Sequence, residues 1–217
     1  MYKQIAVGCL LISIMGCSTG SGYSTKGDIA VIEESLVSGL KVKLLRNYKT
    51  CSSGFYDTIY LDGPIGPDST YIVSHYLDMA QSCDELPHTS VYLNSRGGLI
   101  TDGMELGRLF KKKQVITYII GNDECSSSCA VAFLGGIYRN MHNNASLMFH
   151  APYKKSSYGQ EQCASRSQAN DLKTYYAEML GQRAGNTLFD RTMSYCGSNK
   201  GWVINIGAAR AYGITSD

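Results

Sequence analysis

The hydrophobic and polar positions of the chain follow two periods, one typical of strands and one typical of helices. Alternating segments rich in β-branched and aromatic residues predict strands at residues 58–65, 90–93, 114–120 and 145–149. Apolar residues at helical spacing predict helices from the N-cap Asp68 to Cys83, and over 102–113, 126–137, 164–183 and 187–196. The tail, residues 202–213, predicts a short strand and a small helix. The sequence therefore predicts an α/β fold with a mostly parallel sheet and a C-terminal helical segment.

The amino terminus follows neither period. One basic residue, Lys3, precedes an apolar run over residues 5–16 that only Ser13 interrupts. This run is too short for a membrane-spanning helix, which needs about 20 residues. It is typical of the apolar region of a secretory signal peptide, so residues 1–16 are predicted to be one.

The end of this run, Ile14-Met15-Gly16-Cys17, resembles a bacterial lipobox. The resemblance implies that Cys17 is lipidated and becomes the first residue after cleavage. Ser18 in place of aspartate favours the outer membrane. The predicted location is thus the bacterial cell envelope, lipid-anchored on its periplasmic face. A plain signal peptide cut elsewhere, or an ordinary buried Cys17, is the alternative.

The rest of the chain divides by composition into a tether, a lead-in and a domain. Residues 17–27 are rich in Ser, Gly and Thr and predict a flexible tether. Residues 28–57 form an N-terminal lead-in, and residues 58–217 form one α/β domain.

Overall composition excludes several classes of protein. With 44% hydrophobic residues the chain can build a core, which excludes wholesale disorder. Its 20 Lys+Arg and 18 Asp+Glu give a net charge of +2, too small for binding nucleic acid through bulk charge. No nucleic-acid partner is therefore expected.

Cysteine content is the unusual feature of the composition. Of the 8 cysteines, setting aside Cys9 and Cys17 leaves six, and an even number in an exported protein indicates disulfides. The spacing does not choose among the possible pairings. Zinc is disfavoured because no Cys-x-x-Cys pair is present, so no metal and no cofactor is expected. The six candidates are Cys51, Cys83, Cys125, Cys129, Cys163 and Cys196.

Three segments place polar chemistry at predicted strand ends. Residues 94–98 (NSRGG) can approach a ligand closely and point backbone N–H groups at it. Residues 125–129 (CSSSC) put a serine at the start of a buried helix. His150 ends a strand and can exchange protons near neutral pH. Taken singly, these features are typical of a Gly-rich turn, a Ser N-cap and a structural histidine.

Together, their order and spacing resemble the Clp protease proteolytic subunit and its relatives of the Clp/crotonase fold. The matching segments are LNSRGGLITDGM (93–104), GNDECSSSCAVAFLGG (121–136), ASLMFHAP (145–152) and the closing WVINIGAARAYGITS (202–216). The resemblance implies a ββα spiral and a peptidase. An exported group of Clp-like proteins with a Cys-x-Ser-x-Cys motif is closer still.

Carried over, the family's active site falls on four residues. Ser127 would be the nucleophile and His150 the base, with the N–H groups of Gly97 and Ser128 forming the oxyanion hole. Three serines stand in a row, so the register is open. Ser127 is central between the cysteines, whereas aligning the downstream Phe133 and Gly136 selects Ser126.

Two departures from the family affect this site. The proline of the family's NSPGG motif is Arg96, which puts a cation beside the substrate groove. The region where the family carries its triad aspartate, residues 198–201, has no acid. The third triad member could be Asn199, Asp190 or Asp171, or there could be none.

The cysteines on either side of the serine permit a specific hypothesis. Cys125 and Cys129 would share a face of a regular helix, where bridging them to each other would strain the helix. We therefore expect at least one of them to pair with Cys163 or Cys196. A role for Cys125 or Cys129 as nucleophile is the competing possibility.

A serine endopeptidase acting on peptide or unfolded protein is the leading functional hypothesis. The alternative is a catalytically inactive Clp-fold lipoprotein that binds peptides or takes part in assembly. Acyl-CoA chemistry on the same fold, and a Ser–Lys dyad using Lys154 or Lys155, are weaker alternatives. Membrane attachment through Cys17 and a possible homo-oligomer are expected, whereas an ATP-driven unfoldase is not expected outside the cytoplasm.

Overall fold

The computed structural model describes residues 29–48, 51–52, 54–197 and 200–216. The predicted signal peptide, Cys17 and the tether lie outside these residues, and so does Asn199. In the described ranges, no helix has both the length and the apolar content that crossing a bilayer requires.

Strands and helices alternate along the described chain. The strands are β1 (Ile29–Val37), β2 (Leu40–Asn47), β3 (Tyr56–Asp62), β4 (Ser90–Asn94), β5 (Ile116–Ile119), β6 (Glu124–Ser126), β7 (Tyr138–Met141), β8 (Ser146–Phe149), β9 (Tyr153–Lys155), β10 (Glu161–Cys163) and β11 (Trp202–Ile204). The helices are α1 (Ser69–Met79), α2 (Ile100–Lys112), α3 (Ser128–Phe133), α4 (Asn170–Leu180), α5 (Gln182–Thr192) and α6 (Ile206–Ala211).

The central sheet has six strands in the order β1-β2-β3-β4-β5-β7. The pairs β3–β4, β4–β5 and β5–β7 are parallel, whereas β1–β2 and β2–β3 are antiparallel. A second sheet has the order β11-β8-β6, and β9 and β10 form a separate hairpin. The predicted α/β fold with a mostly parallel sheet is confirmed.

The two larger sheets meet where the candidate residues lie. A parallel bridge between Ser95 and Cys125 joins the segment after β4 to β6. Because β6 and β8 run parallel, Ser127 and His150 follow neighbouring strands at the same edge. Carboxyl ends of parallel strands are where α/β proteins bind ligands.

Helix α3 is short, and each of its residues is buried. The predicted helix over residues 126–137 is wrong at both ends. Ser126 belongs to β6, where it pairs with Met148, and the helical segment ends at Phe133, whose carbonyl accepts a hydrogen bond from the Thr117 hydroxyl at 2.9 Å. This contact ties the end of α3 to the central sheet.

Helix α2 packs against the start of α3 through a glycine. A Cβ atom on Gly103 would lie 2.5 Å from the Ser128 carbonyl oxygen and 2.7 Å from the Ser128 Cβ. Real Cβ atoms do not approach other atoms so closely, so the bare backbone of Gly103 allows α2 to support the segment that follows Ser127.

Several elements carry no clear signal in the sequence. The lead-in forms β1 and β2, which extend the central sheet, and the β9–β10 hairpin follows His150. Of the two predicted helices beyond it, the first is shorter than the predicted 164–183 and the second begins and ends earlier than the predicted 187–196. The two helices meet at Gly181, whose φ of 81° breaks the helical path. Asp68 does occupy the N-cap of α1, but its side chain makes no capping hydrogen bond.

Candidate active site

Ser127 occupies a sharp turn between β6 and α3. Its φ of 57° and ψ of −123° are unusual for a residue with a side chain. The turn is held by the Ser127 N–H, which donates to the Met148 carbonyl at 2.8 Å, and by its carbonyl, which accepts from the Val131 N–H at 3.1 Å. Strain of this kind persists only where the surroundings impose it, and it is common at active sites.

Gly97 lies directly against this turn. Its φ is 95°, and a Cβ atom there would lie 2.7 Å from the Ser127 Cβ and 2.5 Å from the Ser126 carbonyl oxygen. Both the backbone conformation and the contact therefore require glycine. The NSRGG segment and the serine turn are thus packed together, as the sequence predicts.

The backbone N–H donors near Ser127 are of two kinds. The Gly97 N–H donates to Ser95 Oγ at 3.0 Å. In the part of the chain that the structure describes, the N–H groups of Gly98 and Ser128 have no hydrogen-bond partner. Gly98 is not among the N–H donors predicted from the sequence, although the two consecutive glycines are a pattern that could have indicated it.

The other two serines of the motif are placed differently. Ser126 is buried and its hydroxyl donates to Glu124 Oε1 at 3.0 Å. Ser128 is fully buried, and its hydroxyl has no partner among the described atoms. Ser127 is half-buried and is the serine that lines a cavity, which favours Ser127 over Ser126.

His150 follows β8 and is 8% exposed. Its Nδ1 lies 2.9 Å from the Ala151 carbonyl oxygen, and the Ala151 N–H donates to the Tyr195 carbonyl at 2.8 Å. A carbonyl can only accept, so this hydrogen bond requires the proton to be on Nδ1. The Nε2 of the neutral ring is then free of a proton and can accept one.

The acidic candidates for the third position form no hydrogen bond or ion pair with His150 in the described structure. The Asp190 side chain is 67% exposed and forms an ion pair with Arg166. Asp171 is exposed in the first turn of α4. Asn199 lies outside the described residues, so the prediction for it stays open.

Ser127 and His150 share one cavity of about 560 Å³. In the described structure they are not hydrogen-bonded to each other; such bonds are often long before substrate binds and shorten in the complex. Burial raises the pKa of Tyr176, a cavity residue, so its phenol stays protonated. The cavity is lined by Arg96, Gly97, Gly98, Leu99, Ile100, Ser127, Val131, Met148, Phe149, His150, Pro152, Tyr153, Lys154 and Tyr176.

All six predicted cysteines form disulfides, but one pairing contradicts the expectation. Cys125 bonds to Cys129, with their Cα atoms 5.1 Å apart, and neither bonds to Cys163 or Cys196. The expectation was wrong because it assumed that both cysteines lie on one helix. Cys125 lies on β6, and the turn at Ser127 brings it close to Cys129. A thiol nucleophile at either position is excluded by the same bond.

The remaining two disulfides link segments that are far apart in the sequence. Cys163 bonds to Cys196, which ties β10 to the segment before β11, and Cys51 bonds to Cys83. Cys51, Cys83 and Glu85 are also the group of metal-ligand types found close together in the described chain. Because both sulfurs are joined in a disulfide, this group has no thiolates to offer a metal.

Comparison with known proteins gives one family and a set of similar structures. The Clp protease family profile matches residues 47–214. Similar solved structures include a serine-to-alanine mutant of the 1510-N membrane-bound stomatin-specific protease, with 17% identity, a TM-score of 0.60 and coverage of 72% of this chain and 75% of that one. No curated protein matches the chain.

Two further structures resemble it. A lysine-to-alanine mutant of the 1510-N protease in complex with a substrate peptide has 18% identity, a TM-score of 0.60 and coverage of 72% and 71%. An asparagine-to-aspartate mutant of ClpP1 from Listeria monocytogenes has 19% identity, a TM-score of 0.51 and coverage of 73% and 88%. At these identities the structures establish a shared fold.

Proposed function

Because the chain belongs to the Clp protease family, we propose that it is a serine-type endopeptidase in which Ser127 is the nucleophile and His150 the general base. The resemblance inferred from the sequence is thereby confirmed at the level of family and fold, and the protein is peptidase-like. One observation carries the finer assignment: the strained Ser127 turn and the His150 ring face the same cavity.

The proposed reaction proceeds through an acyl-enzyme. Ser127 Oγ attacks the peptide carbonyl carbon while its proton passes to His150 Nε2, and His150 then gives that proton to the departing amine as the C–N bond breaks. A water molecule, deprotonated by the same nitrogen, hydrolyses the ester and restores the serine. No metal or cofactor takes part in this scheme.

Backbone N–H groups would stabilise the oxyanion that forms at each step. The Ser128 N–H follows the nucleophile directly and is unpaired among the described atoms, which suits this role. The Gly97 N–H could contribute only by giving up its bond to Ser95 Oγ. We therefore propose Gly98, whose N–H is unpaired in the same region, as the second donor beside Ser128.

The Ala151 carbonyl takes the orienting role that a carboxylate has in a full triad. It fixes the tautomer of His150 through the bond to Nδ1. A neutral carbonyl stabilises the imidazolium less than a carboxylate does, so we propose a slow Ser–His dyad.

An active-site-directed fluorophosphonate probe tests this proposal. The probe should attach to Ser127 of the purified oxidised protein, as read by mass spectrometry of the labelled peptide. Ser126→Ala and Ser128→Ala are matched controls and should still be labelled, whereas Ser127→Ala should not. Absence of labelling in the wild type, or a label on Ser126, would contradict the assignment.

The absence of a carboxylate at His150 in the described residues favours a second candidate function. The second candidate is a peptide-binding protein that binds extended peptides without cleaving them. It would bind peptides equally well with Ser127→Ala, show no turnover and remain unlabelled by the probe.

We also propose that the protein is a lipid-anchored lipoprotein of the bacterial cell envelope, on the periplasmic side of the outer membrane. The lipobox-like segment ending in Cys17 supports the anchor. Three disulfides, which use every cysteine from Cys51 onward, support an oxidising compartment.

Replacement of Cys17 tests the anchor. The wild-type protein produced in a bacterium should fractionate with outer membranes and incorporate labelled fatty acid. Cys17→Ser should lose the fatty acid and appear in the soluble periplasmic fraction, because the thiol that carries the lipid is gone. Cys9→Ser is the matched control and should remain membrane-bound. An unchanged Cys17→Ser distribution would rule out the lipid.

A further inference from the structure

The charged side chains that line the cavity are both cations. Arg96 and Lys154 line it, and none of its described lining residues is an aspartate or a glutamate. Arg96 lies beside Gly97, whereas Lys154 lies on β9, beyond His150. The two cations therefore come from the two segments that follow β4 and β8, and both border the cavity that a peptide would occupy.

Both cations are available to a ligand. The Arg96 side chain is 91% exposed, and its one ion pair with a described residue is a 3.7 Å contact with Glu124 Oε2. An exposed pair at that distance is weak, so Arg96 can exchange it for a carboxylate of a peptide. Lys154 has no ion-pair partner in the described chain, and the residue opposite it on β10 is the neutral Gln162.

The neighbouring lysine is different. Lys155 Nζ lies 3.6 Å from Glu161 Oε1 and over the Tyr153 ring, and Lys155 does not line the cavity. The hairpin thus pairs one of its two lysines internally and presents the other at the cavity. Apolar side chains, among them Ile100, Val131 and Phe149, also line the cavity.

We infer that the cavity selects acidic peptides: extended segments with an apolar residue in the cavity and an aspartate or glutamate close to it, held by Arg96 and Lys154. This inference rests on the proposed peptidase function and names its substrate class. The attraction is that of partly exposed ion pairs, so it favours acidic over neutral peptides by about two- to fivefold per cation and weakens with salt.

The test uses three internally quenched peptides that differ only in Glu, Gln or Lys beside the cleaved bond. Rates should fall in the order Glu, Gln, Lys, and the Glu-to-Gln ratio of kcat/KM should fall about two- to fivefold in Arg96→Gln and in Lys154→Gln. Lys155→Gln is the matched control and should keep the wild-type ratio. A ratio is independent of the fraction of correctly folded enzyme, so poor folding cannot imitate the effect.

The outcomes separate this inference from the proposed function. Cleavage of all three peptides at equal rates would overturn the acidic preference and leave the peptidase intact. Complete loss of turnover in Lys154→Gln alone would also overturn it, in favour of a lysine base. If no peptide is cleaved, the peptidase fails, and fluorescence anisotropy of the same peptides with Ser127→Ala still decides: tighter binding of the Glu peptide supports the inference, and equal binding overturns it.

Discussion

Ser127→Ala is expected to lower kcat/KM for peptide cleavage by about 10⁴-fold, and His150→Ala by about 10³- to 10⁴-fold. The double variant should be no slower than Ser127→Ala alone, because a base without its nucleophile has nothing to deprotonate. Steady-state kinetics on one quenched peptide, with circular dichroism to check folding, measure all three. Additive losses would show that the two residues do not act as a unit.

Variants of the two acidic residues considered for the third catalytic position are controls for the Ser127 and His150 variants. Asp171→Ala and Asp190→Ala should keep turnover near the wild-type value, because both side chains are exposed and neither forms a hydrogen bond or ion pair with His150 in the described structure. A large loss in either would show that the carboxylate reaches the histidine during catalysis. Ser126→Ala should also remain active, since the Ser126 hydroxyl bonds to Glu124 and does not line the cavity.

The sequence predicted those parts of the fold in which local pattern and tertiary structure agree. Strands β4, β5 and β8 alternate buried and half-buried positions, and β3, β4 and β5 also contain several β-branched or aromatic residues, so the sequence pattern indicates these strands. Strand β6 has three residues and is defined by pairing with β8, a partner about twenty residues away in the chain. Such a strand has too few positions to show a period.

Because β6 is too short to be predicted from the sequence, the pairing of Cys125 was also predicted wrongly. A spacing of four residues implies a shared helical face only if both residues are helical, and Cys125 is not. The irregular residue that decides the pairing is Ser127, whose positive φ leaves no trace in hydrophobic pattern.

The orientation of His150 could not be read from the sequence either. The group that accepts from its Nδ1 is the carbonyl of Ala151, and every residue has a carbonyl. Side-chain chemistry alone therefore predicts Asn199, Asp190 or Asp171 as the third residue, whereas the acceptor in the described structure is a backbone carbonyl. Arg96, by contrast, departs from the family motif in the sequence itself, and the structure places it in the lining of the cavity.

The Cys125–Cys129 disulfide, which flanks Ser127, should contribute more to activity than the shortness of its loop suggests. Removing it in Cys125→Ala/Cys129→Ala should lower the free energy of unfolding by about 2 kcal/mol, the loop-closure entropy of so short a loop. Turnover per folded molecule should fall about tenfold or more, because the turn at Ser127 stores about 1–3 kcal/mol of strain that its surroundings must hold. Thermal unfolding and titrated active-site kinetics measure the two effects separately.

Cys51→Ala/Cys83→Ala is the matched control. That bond closes a longer loop, with a sequence separation of 32, so its removal should cost more stability, about 4 kcal/mol. Since it does not line the cavity, turnover per folded molecule should not change. If the variant lacking Cys125 and Cys129 keeps wild-type turnover, the Ser127 turn is held instead by its hydrogen bonds to Met148 and Val131. Recovery of both cysteines as free thiols from the oxidised wild-type protein would contradict the pairing itself.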